Sequence, residues 1–335
     1  MSYRVTDKQL RSLSDSRLSM MLTVAACLLC WVLCYEYSTG FSSETDDTTM
    51  PLWALAGRFF NNRLFAYSAG LFMAVTVSCV IQRVCDMEML IGKRTRLPFM
   101  LLLLLISTNV EVLPVKEVTI VSVCLVFALY GFFKSYQSPE ATGIFFNMGV
   151  LTGFAGLFMP QILWFIPLLW MGMYRFRSLK LRSFMALLTG VFIVYWIVSA
   201  WCMWKHDYDM FVSLYKGLAN FKILSAETFQ YYRTGLYVFI LLFILSFFHV
   251  RMNVPNSGVR IRRTLSFLLD MSVWLLILIL LYGEDSDSLR MLLYIPSSVL
   301  IAYFLENIRR RLRFVLYYLM LLSWLASFML RLWNF

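Results

Sequence analysis

Long apolar runs, separated by short polar stretches, recur along the whole chain. Those at 18–35, 64–81, 118–133, 183–204, 235–250, 265–282, 289–305 and 314–330 have the length and predominantly apolar character of membrane-crossing helices. The stretch 138–182 holds two more, meeting head to head at Met159-Pro160, with no ionisable residue between Ala141 and Tyr174. Ser138 and Pro139 suit the cap and first turn of its first helix. Gly149 and Gly153, four apart, bare one face for another helix, and Pro167 is expected to kink the return helix. The run 97–113 is the exception, because its purely apolar part, 97–106, is too short to cross a core of about 30 Å. Either the helix continues through Asn109 and Glu111, or the segment dips in and returns. The pattern predicts an all-α, polytopic transmembrane helical bundle of about eleven spans, one integral-membrane domain over residues 1–335.

The polar stretches set the threading. Residues 1–17 form a tail with Arg4, Lys8, Arg11 and Arg17, and the presence of Asp7 and Asp15 favours an uncleaved anchor over a signal peptide. Residues 36–63 form the first exterior loop, whose second half, PLWALAGRFFNN, places Leu52, Leu55, Ala56, Phe59 and Phe60 near one helical face. Residues 205–233 form the second large exterior loop, where Phe211, Leu214, Tyr215, Leu218 and Phe221 keep helical spacing. Each reads as an interfacial helix on the exterior side. With the N-terminus cytoplasmic and the C-terminus exterior, only nine of the 30 Lys and Arg fall outside: Arg58, Arg63, Lys116, Lys205, Lys216, Lys222, Arg233, Arg290 and Arg331. That is the positive-inside pattern.

Composition agrees. Of the 335 residues 60% are hydrophobic and 15% charged, with a mean hydropathy of +0.71. The net charge of +11 sits in clusters between apolar runs, which argues for membrane orientation and against nucleic acid. Six of the seven cysteines lie inside apolar runs, so Cys27, Cys30 and Cys34 read as packing residues and not as a redox pair. With only His206 and His249, a multi-histidine metal site is excluded within one chain. No Walker A, GxGxxG or HExxH pattern occurs, and no loop on the cytoplasmic side is long enough for a nucleotide-binding domain.

Candidate chemistry lies mostly on the exterior side. Glu111 follows Thr108 and Asn109 in an apolar arm, placing its carboxylate at or below the outer headgroups; an ionisable group there is a functional candidate. The plainer alternative is a helix end with Glu111 turned to water near Lys116. Glu36, between Tyr35 and Tyr37, is either a general base or metal ligand at the membrane surface or one acid of a polar loop. His206, Asp207 and Asp209 could share a divalent metal ion, although such spacing is common in loops. Asp270 is expected to snorkel towards Arg263 or Arg262, with a proton relay as the alternative. The cluster Arg309, Arg310, Arg311 and Arg313 reads as an orientation anchor that also meets anionic lipid.

The run from Phe145 to Arg182, with its Gly-rich helix, Leu-Phe-Met-Pro turn, aromatic return and basic stop, resembles uncharacterised polytopic inner-membrane proteins of Bacteroidetes. This implies a multi-pass location in a bacterial inner (cytoplasmic) membrane and no particular activity. The inside N-terminus, acidic first exterior loop with an interfacial helix, and short hairpins are together similar to GT-C membrane glycosyltransferases. That resemblance implies transfer from a polyprenyl-phosphate-linked sugar at the outer face, with Glu36 and Glu111 at the positions of the catalytic acids. Short hairpins would leave a recess open to the outer leaflet, with Arg58, Arg63 or Lys116 beside the lipid phosphate. The alternatives are a scaffold or assembly factor that holds other envelope membrane proteins through its glycine faces, and a transporter.

Overall fold

The computed structural model describes residues 17–37, 51–91, 95–136, 141–206, 212, 218, 233–256, 258–283 and 286–333, and these are helical throughout apart from short turns. In chain order the helices are α1 (Arg17–Tyr37), α2 (Pro51–Gly57), α3 (Arg63–Met87), α4 (Leu97–Ser107), α5 (Glu117–Lys134), α6 (Thr142–Phe158), α7 (Phe165–Arg175), α8 (Leu181–Trp204), α9 (Arg233–Asn253), α10 (Val259–Leu281), α11 (Ser286–Asn307) and α12 (Arg310–Trp333). Seven of them, α1, α3, α5, α8, α10, α11 and α12, are long and apolar enough to cross a membrane. Thus the chain is a multi-pass helical membrane protein. The other apolar segments, α4, α6, α7 and the apolar part of α9, are shorter.

α4 is apolar on every side, LPFMLLLLLIS, and a helix of that kind is stable only when enclosed. All its residues but Phe99 are buried, packed by α1, α3 and α11. Gln82 of α3 fastens its start, donating to the Thr95 carbonyl at 2.7 Å and accepting from the Phe99 amide at 3.4 Å. Its 11 residues rise about 16 Å, roughly half the hydrocarbon core. The helix does not run on through Glu111. It stops at Ser107, Asn109 turns extended, and a 3-10 turn covers Val110–Val112. Irregular backbone at membrane depth is tolerated where protein or a water-filled cavity surrounds it, and α1, α3 and α12 surround this turn.

The glycine face of α6 is filled from within the chain. A Cβ on Gly149 would lie 2.1 Å from the Leu187 carbonyl oxygen, and one on Gly153 would lie 3.1 Å from the Val191 Cα. Gly190 answers from α8, where a Cβ would lie 2.4 Å from the Phe146 carbonyl oxygen. The contacts advance together along both helices, so α6 and α8 run parallel. Between them the chain turns at Met159, passes through a 3-10 segment, Pro160–Trp164, and returns as α7. Pro167 does not kink this return: α7 starts at Phe165, so the proline occupies its first turn, where its missing N–H costs nothing. Ser138 and Pro139 lie outside the described residues, and α6 starts beyond them.

The stretch expected to form the first interfacial helix is helical, as α2 and a 3-10 turn, Arg58–Phe60. Leu52 and Trp53 pack on the core and Phe60 stacks between Trp53 and Phe65, whereas Phe59 is exposed. Of the second interfacial stretch only Val212 and Leu218 are described.

Candidate functional site

Cross-helix contacts sort the described residues into two ends. At the basic end lie Arg96, Arg175, Arg260, Arg263 and Arg313, with the ring cluster Phe132, Phe133, Phe176 and Phe267 beneath them. At the opposite end the finish of α1, the start of α3 and the turn after α4 meet.

That junction is built from aromatic rings, one glycine and one arginine. Arg63, in the first turn of α3, donates to the Tyr35 carbonyl and stacks over the Tyr35 ring at 4.9 Å. Tyr35 in turn meets Tyr67 edge to face at 5.7 Å. Deeper in, the Trp31 indole N–H donates to Ser107 at the end of α4, at 3.2 Å. Gly70 makes room for the returning chain: a Cβ there would lie 2.4 Å from the Leu113 carbonyl oxygen and 3.0 Å from the Trp31 ring. The Val115 amide then donates to the Ala66 carbonyl at 3.3 Å. Leu113 is therefore level with Gly70. Seven residues of α3 separate Gly70 from Arg63, so this turn lies about 10 Å inside the level of Arg63. Asn109, Val110, Val112 and Leu113 are all buried.

The sequence candidates fall on this frame as follows. Glu36 is exposed in the last turn of α1, next to Tyr35. Glu111 occupies the middle of the buried turn; its side chain lies outside the described residues. Lys116 is exposed at the start of α5, where its amide donates to the Thr119 hydroxyl at 3.3 Å and Glu117 favourably faces the helix dipole. Arg58 begins the 3-10 turn after α2, and its side chain lies outside the described residues. The backbone thus gathers the end of α1, Arg63 and the Glu111 turn at one end of the bundle. His206 is exposed just past α8, in a left-handed conformation with φ 56°. Asp207 and Asp209 lie outside the described residues. Among the described residues no three His, Cys, Asp or Glu side chains gather as a metal site.

The basic end holds ion pairs that sequence reasoning passed over. Arg260 donates through Nε and Nη2 to the two carboxylate oxygens of Glu88, at 2.6 and 2.5 Å, across 172 residues of chain, and the Glu88 side chain is only 1% exposed. The Arg260 and Arg263 guanidinium groups lie 5.3 and 5.6 Å from the centre of the Tyr136 ring. Arg313 pairs with Glu306. Asp270 meets Arg175 of α7, not the arginines of its own helix. The one available signal for Glu88 was its position, an acid at the end of an apolar run that faces a cation-rich loop.

No protein-family model matches the chain, and neither does any curated protein.

Proposed function

We propose that the chain is a multi-pass protein of the bacterial inner membrane, basic end in the cytoplasm, that works at the outer face as a GT-C-like transferase on a polyprenyl-phosphate-linked sugar. The observation that supports this most is the depth of the Glu111 turn. The Glu111 backbone sits at the centre of a 3-10 turn some 10 Å inside the level of Arg63, between the buried Val110 and Val112, and an ionisable residue within an apolar segment is a functional candidate. A lipid-linked donor suits that depth, with its tail in the bilayer and its phosphate near Lys116 and Arg58. Arg63 has a different part, since it already ties α3 to Tyr35.

In this reading an acceptor hydroxyl attacks the sugar's anomeric carbon while Glu111 takes the hydroxyl proton. The bond from that carbon to phosphate breaks, and polyprenyl phosphate leaves with the electron pair. Glu36, at the rim, orients the acceptor. A scaffold that binds partners through its glycine faces is less well supported, because α8 fills the face carrying Gly149 and Gly153.

The test is release of polyprenyl phosphate from a labelled polyprenyl-phosphate sugar by full-length protein in proteoliposomes. Glu111→Gln keeps the shape and removes the base, so turnover falls about 100-fold or more while thermal unfolding is unchanged. Undiminished turnover in that variant, or no release by the wild-type protein, contradicts the reading.

A further inference from the structure

A second site stands at the basic end, independent of sugar transfer. Phe267 packs on Phe132 and Phe176 at the level where α5 and α7 end, and Asp270 lies one turn further along α10, away from its basic start. Nη2 of Arg175, in the last turn of α7, lies 2.9 and 2.7 Å from its two carboxylate oxygens. Arg251, in the last turn of α9, is exposed and also acts electrostatically on this carboxylate. Arg175 thus meets the acid directly while Arg251 stands within electrostatic reach of it, leaving the group net positive. The pair is not closed off, with the Arg175 and Asp270 side chains 36% and 25% exposed.

What adjoins the cluster is apolar. From Asp270 the exposed positions of α10 continue at Val273, Ile277 and Leu280, at spacings of three and four, which is one face of the helix. Tyr174 and Met252, next in sequence to the two arginines, are also large and exposed. A charged head with an apolar stripe leading away from it is the complement of a lipid. A zwitterionic lipid would bring a further cation to a cluster that is already positive, whereas an anionic one would not. A free phosphate would engage the head and leave the stripe uncovered.

We propose that Arg175 and Arg251 bind the phosphodiester of an anionic phospholipid, one acyl chain of which lies along Val273, Ile277 and Leu280. Arg175 meets Asp270 through one nitrogen of a group with five N–H donors, so the same guanidinium serves carboxylate and phosphate together. Asp270 is the positioning residue that holds it. Basic pockets between membrane helices recognise acidic headgroups in this way.

Native mass spectrometry of the full-length protein, offered phosphatidylglycerol or phosphatidylcholine, tests the assignment. Phosphatidylglycerol is expected to stay bound and phosphatidylcholine to dissociate. Arg251→Ala weakens the phosphatidylglycerol complex about 5-fold, the equivalent of ~1 kcal/mol for one arginine near an anionic lipid. Arg251→Glu weakens it further. Asp270→Asn, which releases Arg175 from the carboxylate that orients it, weakens it as well, an outcome that an ion pair with no part in lipid binding does not produce. Arg251 is exposed, so its variants keep the fold and carry the test even where the Asp270 variant does not fold. The proposal is overturned if both Arg251 variants bind phosphatidylglycerol like the wild type, if phosphatidylcholine binds equally, or if millimolar inorganic phosphate displaces the lipid.

Discussion

At Gly149, Gly153 and Gly190 the absence of a side chain lets α6 and α8 approach until one backbone touches the other. The spacing of Gly149 and Gly153 was legible in the sequence; their partner Gly190 was not, because a single glycine in an apolar run carries no pattern. Gly149→Ala places a methyl 2.1 Å from a carbonyl oxygen, which no side-chain rotation relieves. The expected loss is about 1–3 kcal/mol, seen as a lower unfolding temperature in detergent. Gly143→Ala on the same helix has no atom within 4 Å of the added carbon and should change stability by less than about 0.5 kcal/mol. Equal effects at both positions would contradict the packing described. Asp270 illustrates what single residues conceal. Its depth and its need for a cation were readable, but helical spacing pointed to Arg263 and Arg262, and the partner came from another helix 95 residues away.

Among the elements, α4 divides what was readable from what was not. Its shortness was plain from 97–106, and so was the choice between a longer helix and a segment that dips in. That it is a half-length helix enclosed by α1, α3 and α11 was hidden, because lipid tails are as apolar as leucine and an all-apolar helix suits either surrounding. Pro167 was misplaced for a related reason: apolar runs do not mark where a 3-10 segment ends and α7 begins. The link between α3 and α10 yields an asymmetric prediction. Arg260→Met leaves the Glu88 carboxylate buried without its guanidinium and should cost about 3 kcal/mol or more. Glu88→Gln leaves an arginine that is 48% exposed and can turn to water, so the cost should be nearer 1–2 kcal/mol. Unfolding of the two variants in detergent checks the order, and a larger loss in Glu88→Gln would contradict the burial assigned to that side chain.

The whole molecule follows from alternating apolar helices, with arginines gathered at one end around Glu88, Asp270 and Glu306. Among the described residues seven helices meet the length of a crossing, and the shorter ones are held by packing on their neighbours. The alternation of helices was legible because apolar runs of that length are rare in chains that fold in water. The meeting of α1, α3 and the Glu111 turn was not, since it depends on Gly70 and Trp31, which nothing in the pattern singles out. The proposed function requires that this turn be reached from the exterior while the basic end faces the cytoplasm. Cysteine labelling tests it most directly. In a chain whose seven native cysteines are replaced, Glu111→Cys and Lys180→Cys are each treated with a small, membrane-impermeant thiol reagent applied to the outer face. The account predicts that Glu111→Cys is modified from outside and that Lys180→Cys reacts only once the membrane is opened. A Glu111→Cys that stays unmodified from outside, or a Lys180→Cys that is modified there, would contradict it.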